Sequence, residues 1–273
     1  MIVKKSPEEV DKMAAAGAIL VATLDLLQGK IRPGVRTEEL DRAAERFIRG
    51  HGATPSFKGY RGFPGSICTS PGSLVVHGIP GSYRLAAGEI VSVDVGVTLD
   101  GWVADAARTF AVGEISYAAD NLLRGTESAL FAGVERARPG NRVGDISHAV
   151  QRVCEGAGLA VIRSLVGHGV GREMHEEPQV PNFGSPGKGP LLEEGMVLAI
   201  EPMTSAGRPD VRVAADGWSV FTQDGSLAAH FEFTVAVTDS DPLVLTPWHL
   251  SPELRGAPRD GSRPAARELS TSP

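Results

Sequence analysis

RPGVRTEELDRAAERFIRGHGA at residues 32–53 aligns without a gap to RPGNRVGDISHAVQRVCEGAGL at residues 138–159, an offset of 106. Eight of the 22 positions are identical, from Arg32/Arg138 and Pro33/Pro139 to Gly50/Gly156 and Gly52/Gly158. Ordinary residue frequencies of roughly 5–10% each would give about one or two matches. Each copy reads as an Arg-Pro-Gly turn running into a helix. In the first, Thr37 is expected as the cap, with Glu38 and Glu39 well placed in the first turn. Leu40, Ala43, Ala44, Phe47 and Ile48 keep the 3–4 spacing of one buried face, and Gly50 or Gly52 ends the helix. An Ala/Leu-rich helical segment precedes each copy. The first is opened by Ser6-Pro7-Glu8-Glu9, a capping box with proline in the first turn, and runs to about Gln28. The second runs from about Tyr117 to Arg138. Repetition on this scale indicates two similar halves of one domain, not a short-period solenoid.

Strand-like runs follow each helical pair. Residues 89–99 and 102–112 flank Asp100-Gly101, a strong two-residue hairpin turn. Residues 196–201 and 231–238 read as strands of the second half. Helices followed by strands, twice over, give an α+β fold. The domain is expected over 1–248, with halves of about 1–112 and 113–248. The remainder, 249–273, is expected to be a disordered tail, since Ser251 to Pro273 holds four prolines and four arginines with little bulky apolar material.

Composition sets the broad class. The 273 residues are 42% hydrophobic and 22% charged, ordinary values for a globular protein. The formal net charge of −6 argues against a protein that coats nucleic acid by charge alone. Two cysteines, Cys68 and Cys154, make no disulfide framework, so a reducing cytoplasmic setting is expected. The start is charged instead of apolar, and Ala14 to Leu27 is broken by Gly17, Thr23 and Asp25, so neither a secretory signal nor a membrane span is read there.

The hairpin carries the first chemical signal. Pairing outward from Asp100-Gly101 sets Leu99 opposite Trp102, Gly96 opposite Asp105 and Asp94 opposite Ala107. Asp94 and Asp105 therefore project from one face as diagonal neighbours. Val91, Val93, Val95 and Val97 form the other, core-facing side. Neighbouring carboxylates repel and call for a proton or a cation. Gly96, Ala104, Ala106 and Ala107 surround them with small apolar groups, which favours a ligand site over a solvated face. In the second half, Glu201 ends the apolar run Val197-Leu198-Ala199-Ile200 and is held extended by Pro202. Glu232 lies opposite in facing to Phe231, Phe233, Val235 and Val237, with His230 and Thr234 on its own side. His168 sits among glycines in Gly167-His168-Gly169-Val170-Gly171, His175 follows in Met174-His175-Glu176, and His77 lies in Val76-His77-Gly78-Ile79-Pro80. His51, His148 and His249 read as ordinary surface or helix histidines. Four carboxylates would carry −4, which two divalent ions neutralise. Carboxylate-rich ligation with one imidazole suits Mn²⁺, Fe²⁺, Co²⁺ or Zn²⁺. Two such ions about 3.5–4 Å apart activate water, so the residues alone lead to a two-metal hydrolase.

At these residues the sequence resembles the type I methionine aminopeptidases, over about Ile2 to Thr246. The segments are HGIP (77–80), VDVGV…DGWVADAARTF (93–110), GHGVGREMHEEPQVP (167–181), AIEPM (199–203) and HFEFT (230–234). The resemblance implies the pita-bread fold, whose two halves are related by a pseudo-twofold axis. It implies Asp94, Asp105, His168, Glu201 and Glu232 as metal ligands, with Asp105 and Glu232 bridging both ions. A water between the ions would be the nucleophile and Glu201 its general base. His175 would hydrogen-bond the scissile carbonyl oxygen, and His77 the peptide nitrogen or the free amine. Tyr60, Phe63, Cys68 and Trp218 would line the pocket for the methionine side chain. The implied activity is removal of N-terminal methionine from nascent chains and peptides with a small second residue.

Three departures from relatives stand out: Phe233 where many have His, Met174 where an aromatic is common, and Gly72-Ser73 where an Asn-Glu pair is usual. None removes a ligand. The rival readings are a proline-specific aminopeptidase or prolidase, which usually carries an N-terminal domain for which the residues before Lys58 leave no room, and a non-catalytic binding module, which would be marked by a lost ligand. A monomer without membrane or specific nucleic-acid partners is expected. A transient ribosome contact would suit a nascent-chain enzyme, although Arg208 and Arg212 by themselves read as a solvated loop.

Overall fold

In the computed structural model, which describes residues 1–250, the two duplicated stretches adopt one backbone motif. Helix α2 (Thr37–Gly50) and helix α4 (Val143–Gly156) have Arg36 and Arg142 at their N-caps. In each, an acid three residues on, Glu39 or Asp145, accepts from the cap backbone N–H. Both helices close alike: Ala53 N–H reaches Ile48 O and Leu159 N–H reaches Cys154 O across glycines at φ 75° and 73°. Thr37 is not the cap that the sequence suggested but the first helical residue. Its hydroxyl is drawn away to the Gly81 carbonyl (3.1 Å) and accepts from Gly81 N–H (2.9 Å). Helix α1 (Pro7–Gln28) has the expected capping box on Ser6 and Glu9. Helix α3 (Tyr117–Val134) is capped by Ser116 and stops before Arg138.

The repeat continues further than the alignment reached. The turn of the first copy is pinned to a later loop by Gly34 N–H to Leu85 O (2.7 Å), and that of the second by Gly140 N–H to Leu192 O (3.1 Å). Each loop then turns at a glycine, Gly88 (φ 87°) or Gly195 (φ 86°), in the left-handed region that glycine tolerates best. Asp94 and Glu201 each stand six residues after that glycine. They are counterparts in the two halves.

The first half holds strands β1 (Thr54–Pro55), β2 (Cys68–Pro71), β3 (Leu74–Val76), β4 (Ile90–Leu99) and β5 (Trp102–Ala111). The β4–β5 hairpin is ten residues a side without a bulge, in the register counted from the sequence: Leu99↔Trp102, Gly96↔Asp105, Asp94↔Ala107. Asp100 (φ 51°) and Gly101 (φ 77°) form its turn. β2 pairs on the other edge of β4, with Cys68 opposite Asp94. Val91, Val93, Val95 and Val97 are all fully buried.

The second half begins with β6 (Ala160–Val161), β7 (Val166–Gly169) and β8 (Glu176–Pro181), and continues through β9 (Val197–Ile200), β10 (Met203–Ser205), β11 (Val211–Val213) and β12 (Val220–Thr222). It ends with β13 (Ala228–His230), β14 (Phe233–Ala236) and β15 (Leu243–Val244). β15-β14-β9-β7-β8 form one antiparallel sheet, β13-β10-β6 a second, and β11-β12 join β3 in a third.

The half-sheets meet along β5 through threonine side chains in place of a continuous ladder. Thr234 Oγ1 donates to Asp105 O (2.7 Å) and accepts from Asp105 N–H (2.9 Å). Thr109 Oγ1 does the same with His230 O (2.8 Å) and His230 N–H (3.0 Å). Glu232 N–H donates to Ala107 O (2.9 Å). This seam brings Asp105 and Glu232 side by side.

Trp248 and His249 pack on Phe233, with ring centroids at 4.6 and 5.0 Å, so the packed chain extends past 248 and His249 is not a free surface group. Residues 251–273, the rest of the expected tail, lie outside the described residues. No helix among the described residues is long and apolar enough to cross a membrane.

Candidate active site

Strand alternation decides which acids can meet. β9 and β14 pair Ile200 with Phe233 and Ala199 with Thr234, so Glu201 and Glu232 stand opposite each other one step past the ladder. β7 pairs His168 with Ala199, which puts the imidazole on the same face, diagonal to Glu201. Glu201 and Glu232 therefore lie just outside β9 and β14, where backbone pairing has ended. Asp94 and Asp105 lie inside an unbroken hairpin.

The two faces close on one cavity of about 180 Å³. It is lined by Asp94, Asp105, His168, Glu201 and Glu232, by His77 and His175, and by Tyr60, Phe63, Cys68 and Trp218. All eleven residues singled out from the sequence are thus brought together. His168 Nε2 is 3.5 Å from Glu201 Oε1 and 3.9 Å from Asp105 Oδ2. Its Nδ1 donates to the Gly169 carbonyl (2.8 Å), which leaves the Nε2 lone pair facing the acids.

The electrostatics of the acid cluster are severe. Burial, then the Asp105 and Glu201 charges, push the Asp94 carboxyl well above the usual range. Burial raises Asp105 to about 7, against the opposing effect of hydrogen bonds from Asp94 and Ala106. Burial and the neighbouring acids raise Glu201 and Glu232 as well. Oδ1 of Asp94, Oδ1 of Asp105 and Oε1 of Glu232 are buried with no hydrogen-bond partner. Ligand atoms of Asp105, His168 and Glu232 lie within 4.8 Å of one another. Orphaned carboxylate oxygens around one imidazole lone pair fit divalent cations, which relieve both the repulsion and the missing hydrogen bonds.

The remaining groups form walls and rim. His77 holds φ 59° in the left-handed region, where the turn is locked by Thr69 N–H to Gly78 O (2.9 Å) and Gly78 N–H to Ser70 Oγ (3.2 Å). Burial lowers the His77 pKa. His175 stands at the exposed rim, 4.3 Å from the His168 ring centroid, and its Nδ1 lies 2.9 Å from the Tyr60 hydroxyl. Desolvation by the surrounding walls, then the His168, Arg61 and His77 charges, depress it to about 4. Phe63 and Trp218 pack edge-on at 5.1 Å. Burial, then the Asp94 charge, pushes the Cys68 thiol up, so it stays a neutral apolar wall.

Three cavity or near-cavity residues escaped the sequence reading. Phe57 and Arg61 line the cavity. They flank Tyr60 in Phe57-Lys58-Gly59-Tyr60-Arg61-Gly62-Phe63, an aromatic and glycine-rich run that was a usable signal. His230 shares Glu232's side of the strand, as its sequence position predicts. Buried with both ring nitrogens lacking a hydrogen-bond partner, it has Nε2 3.5 Å from Glu201 Oε2.

The departures from relatives stay out of the cavity lining. Phe233 is fully buried on the opposite face from Glu232, against Phe131 (5.7 Å) and Trp248. Met174 is buried behind the wall, in one cluster with Phe57, Phe63 and Cys68. Gly72 takes φ 64° in a turn, and the Ser73 carbonyl accepts from Thr222 N–H (2.9 Å).

The model of metallopeptidase family M24 matches residues 11–239. The chain belongs to metallopeptidase family M24. A methionine aminopeptidase of Clostridium perfringens is 55% identical over 246 residues, spanning 90% of this chain and 99% of the relative. The crystal structure of a methionine aminopeptidase from Rickettsia prowazekii superposes with a TM-score of 0.89 at 40% identity, covering 90% of this chain and 100% of that one. A prolidase from Pyrococcus furiosus superposes at 0.73 with 23% identity over 89% of this chain and 65% of its own, a likeness of fold alone. The M24 fold is the pita-bread fold, a metallopeptidase scaffold of mixed helix and sheet.

Proposed function

We propose that this M24 chain is a methionine aminopeptidase, a metal-dependent hydrolase that removes N-terminal methionine from proteins and peptides with a small second residue. The observation that carries this reading is the convergence of four carboxylates and one imidazole, from both halves, on a small cavity walled by Phe63, Cys68 and Trp218.

Asp94, Asp105, His168, Glu201 and Glu232 would hold two divalent ions drawn from Co, Mn, Fe and Zn. Ions of this kind lower the pKa of water and polarise a carbonyl oxygen. Glu201 would serve as the general base that takes a proton from the attacking water. The Tyr60 hydroxyl lies 2.9 Å from His175 Nδ1. In the tautomer where that hydroxyl donates, the Nε2 proton is left to donate to the carbonyl oxygen as negative charge builds there. Such a donor is worth ~3 kcal/mol in the transition state. His77 meets the peptide nitrogen or the free amine. The unbranched, polarizable methionine side chain suits Phe63, Cys68, Trp218 and the Tyr60 ring.

Nascent chains in the cytoplasm would be the natural substrates, met by a monomer with at most a transient ribosome contact. The purified chain with Mn²⁺ or Co²⁺ is expected to release methionine from Met-Ala-Ser and to spare Met-Leu-Ser. Cleavage of the residue before proline instead, or no release with either ion, would overturn the reading.

A further inference from the structure

We propose that Lys5 is a positioning residue for His175, acting through Glu176 across a buried ion pair at the chain's N-terminal strap. The proposal rests on the aminopeptidase reading for its kinetic consequence and on geometry alone for its structural one.

Lys4 and Lys5 are adjacent and identical in type, and each has a carboxylate at 2.6 Å. Lys4 meets Glu193 at the surface, where the side chains are 54% and 47% exposed. Lys5 meets Glu176 with side chains only 2% and 11% exposed. An exposed pair contributes little, whereas stranding one member of a buried pair is strongly destabilising. A buried pair is nonetheless a poor way to gain stability, because apolar residues of similar volume do as well. What it does impose is one geometry.

That geometry is built around the loop that ends in His175. Glu176 Oε2 takes the Lys5 ammonium, and Oε1 accepts from the backbone N–H of Arg172 (2.9 Å) and Glu173 (3.3 Å). One carboxylate thus staples both ends of the 172–176 loop to the N-terminal strap. Lys5 Nζ donates also to Val3 O (3.0 Å), and Lys5 N–H donates to Gly195 O (2.7 Å), in the turn that leads to Glu201. Gly171 leaves room for the pair: a Cβ there would stand 2.5 Å from both Glu176 Oε1 and Lys5 Cε. His175, the residue next to Glu176, is held on its other side by the Tyr60 hydroxyl. Removing the Lys5 charge frees Glu176, slackens the loop and moves the His175 ring away from the carbonyl it serves. Phe63, Cys68 and Trp218, which wall the methionine side chain, lie on other segments.

The test uses the full chain loaded with Mn²⁺ and compares Lys5→Met, Lys5→Arg and Glu176→Gln with Lys4→Met as control. On Met-Ala-Ser, Lys5→Met is expected to lose about tenfold in kcat with KM changed less than about twofold, since a small misplacement of a catalytic group costs rate more than binding. Lys5→Arg restores part of the loss, and Lys4→Met behaves as the unaltered chain. The ring ¹⁵N and ¹H resonances of His175 are expected to shift in Lys5→Met and not in Lys4→Met, a readout that does not need turnover. Should Lys5→Met fail to fold, the same two readouts are taken in Glu176→Gln, which keeps an acceptor for the loop amides. Unmoved His175 resonances and an unchanged kcat in a folded variant would overturn the proposal, as would kcat and KM worsening together. An unaltered chain that releases no methionine would sink the aminopeptidase reading, and the resonances would still decide the role of Lys5.

Discussion

The two halves reach the same end by different means. The first delivers Asp94 and Asp105 from one hairpin of ten-residue strands in unbroken register. The second delivers His168, Glu201 and Glu232 from three short strands, with both glutamates one step beyond their ladder. A long hairpin fixes side-chain facing by counting alone, because every residue is paired and the period is two. Ligands at strand ends depend on what packs around them: Asn182, whose amide donates to Glu201 O (2.9 Å), and Trp248, whose Nε1 donates to Glu232 O (2.9 Å). One half of the site is rigid by local pairing and the other by long-range contacts.

If both halves serve one metal centre, a ligand lost from either is equally fatal to turnover. Asp105→Ala and Glu201→Ala are each expected to lower kcat by on the order of 10³-fold or more while circular dichroism shows the fold intact. Near-normal rates in either would mean that its half lies outside the reacting centre.

The next largest effect concerns pH. The cluster carboxyls have raised pKa values in the folded chain, Asp105 reaching about 7 from 3.8. Between those values the folded state holds protons that the unfolded chain has released. Their contribution is present below the unfolded value and is lost as pH rises through the folded one. The site's histidines act the other way, since His175 and His230, depressed to about 4 and about 3, stay neutral in the folded chain where the unfolded chain protonates them. The carboxyl effect is isolated by Asp105→Asn: the metal-free Tm of the unaltered chain should fall relative to that of Asp105→Asn as pH rises from about 4 towards about 7. A Tm difference between the two chains that stays constant over this range would contradict the electrostatic description of the site.

How much of this was legible in the sequence follows the same division. The hairpin register, and with it the shared face of Asp94 and Asp105, could be counted from Asp100-Gly101 because nothing interrupts the alternation. The capping box on Ser6 could be read for the same local reason. Thr37 was misread because its hydroxyl is claimed by Gly81, a partner 44 residues away that no local pattern reveals. The match of Asp94 to Glu201 escaped notice because the repeat survives there as loop geometry at Gly88 and Gly195, not as identity. Strand facing groups the four carboxylates, whereas the choice of His168 as the imidazole among them rests on the family resemblance, since the Thr109 and Thr234 seam leaves no periodic trace. The packing role of His249 was invisible for that reason too.

Smaller effects sharpen the contrast. In the hairpin, a Cβ on Gly96 would stand 2.8 Å from Phe57 Cε1 and 3.0 Å from Met174 Cε. Gly96→Ala should cost about 1–3 kcal/mol in denaturant unfolding, through overpacking of the cavity wall. In the other half, Trp248→Phe keeps an aromatic ring against Phe233 and removes the Nε1 hydrogen bond to Glu232 O. It should cost about 1 kcal/mol of stability. Activity should fall more in Trp248→Phe than in Gly96→Ala compared at equal stability, because Glu232 lies beyond the strand ladder and Asp105 lies within one.

Calorimetric titration of Mn²⁺ into the metal-free protein near neutral pH tests the shared centre most directly. Two ions per chain are expected, with Asp94→Ala weakening one and Asp105→Ala weakening both. No measurable binding, or a titration indifferent to both substitutions, would contradict a metal centre built jointly by the two halves.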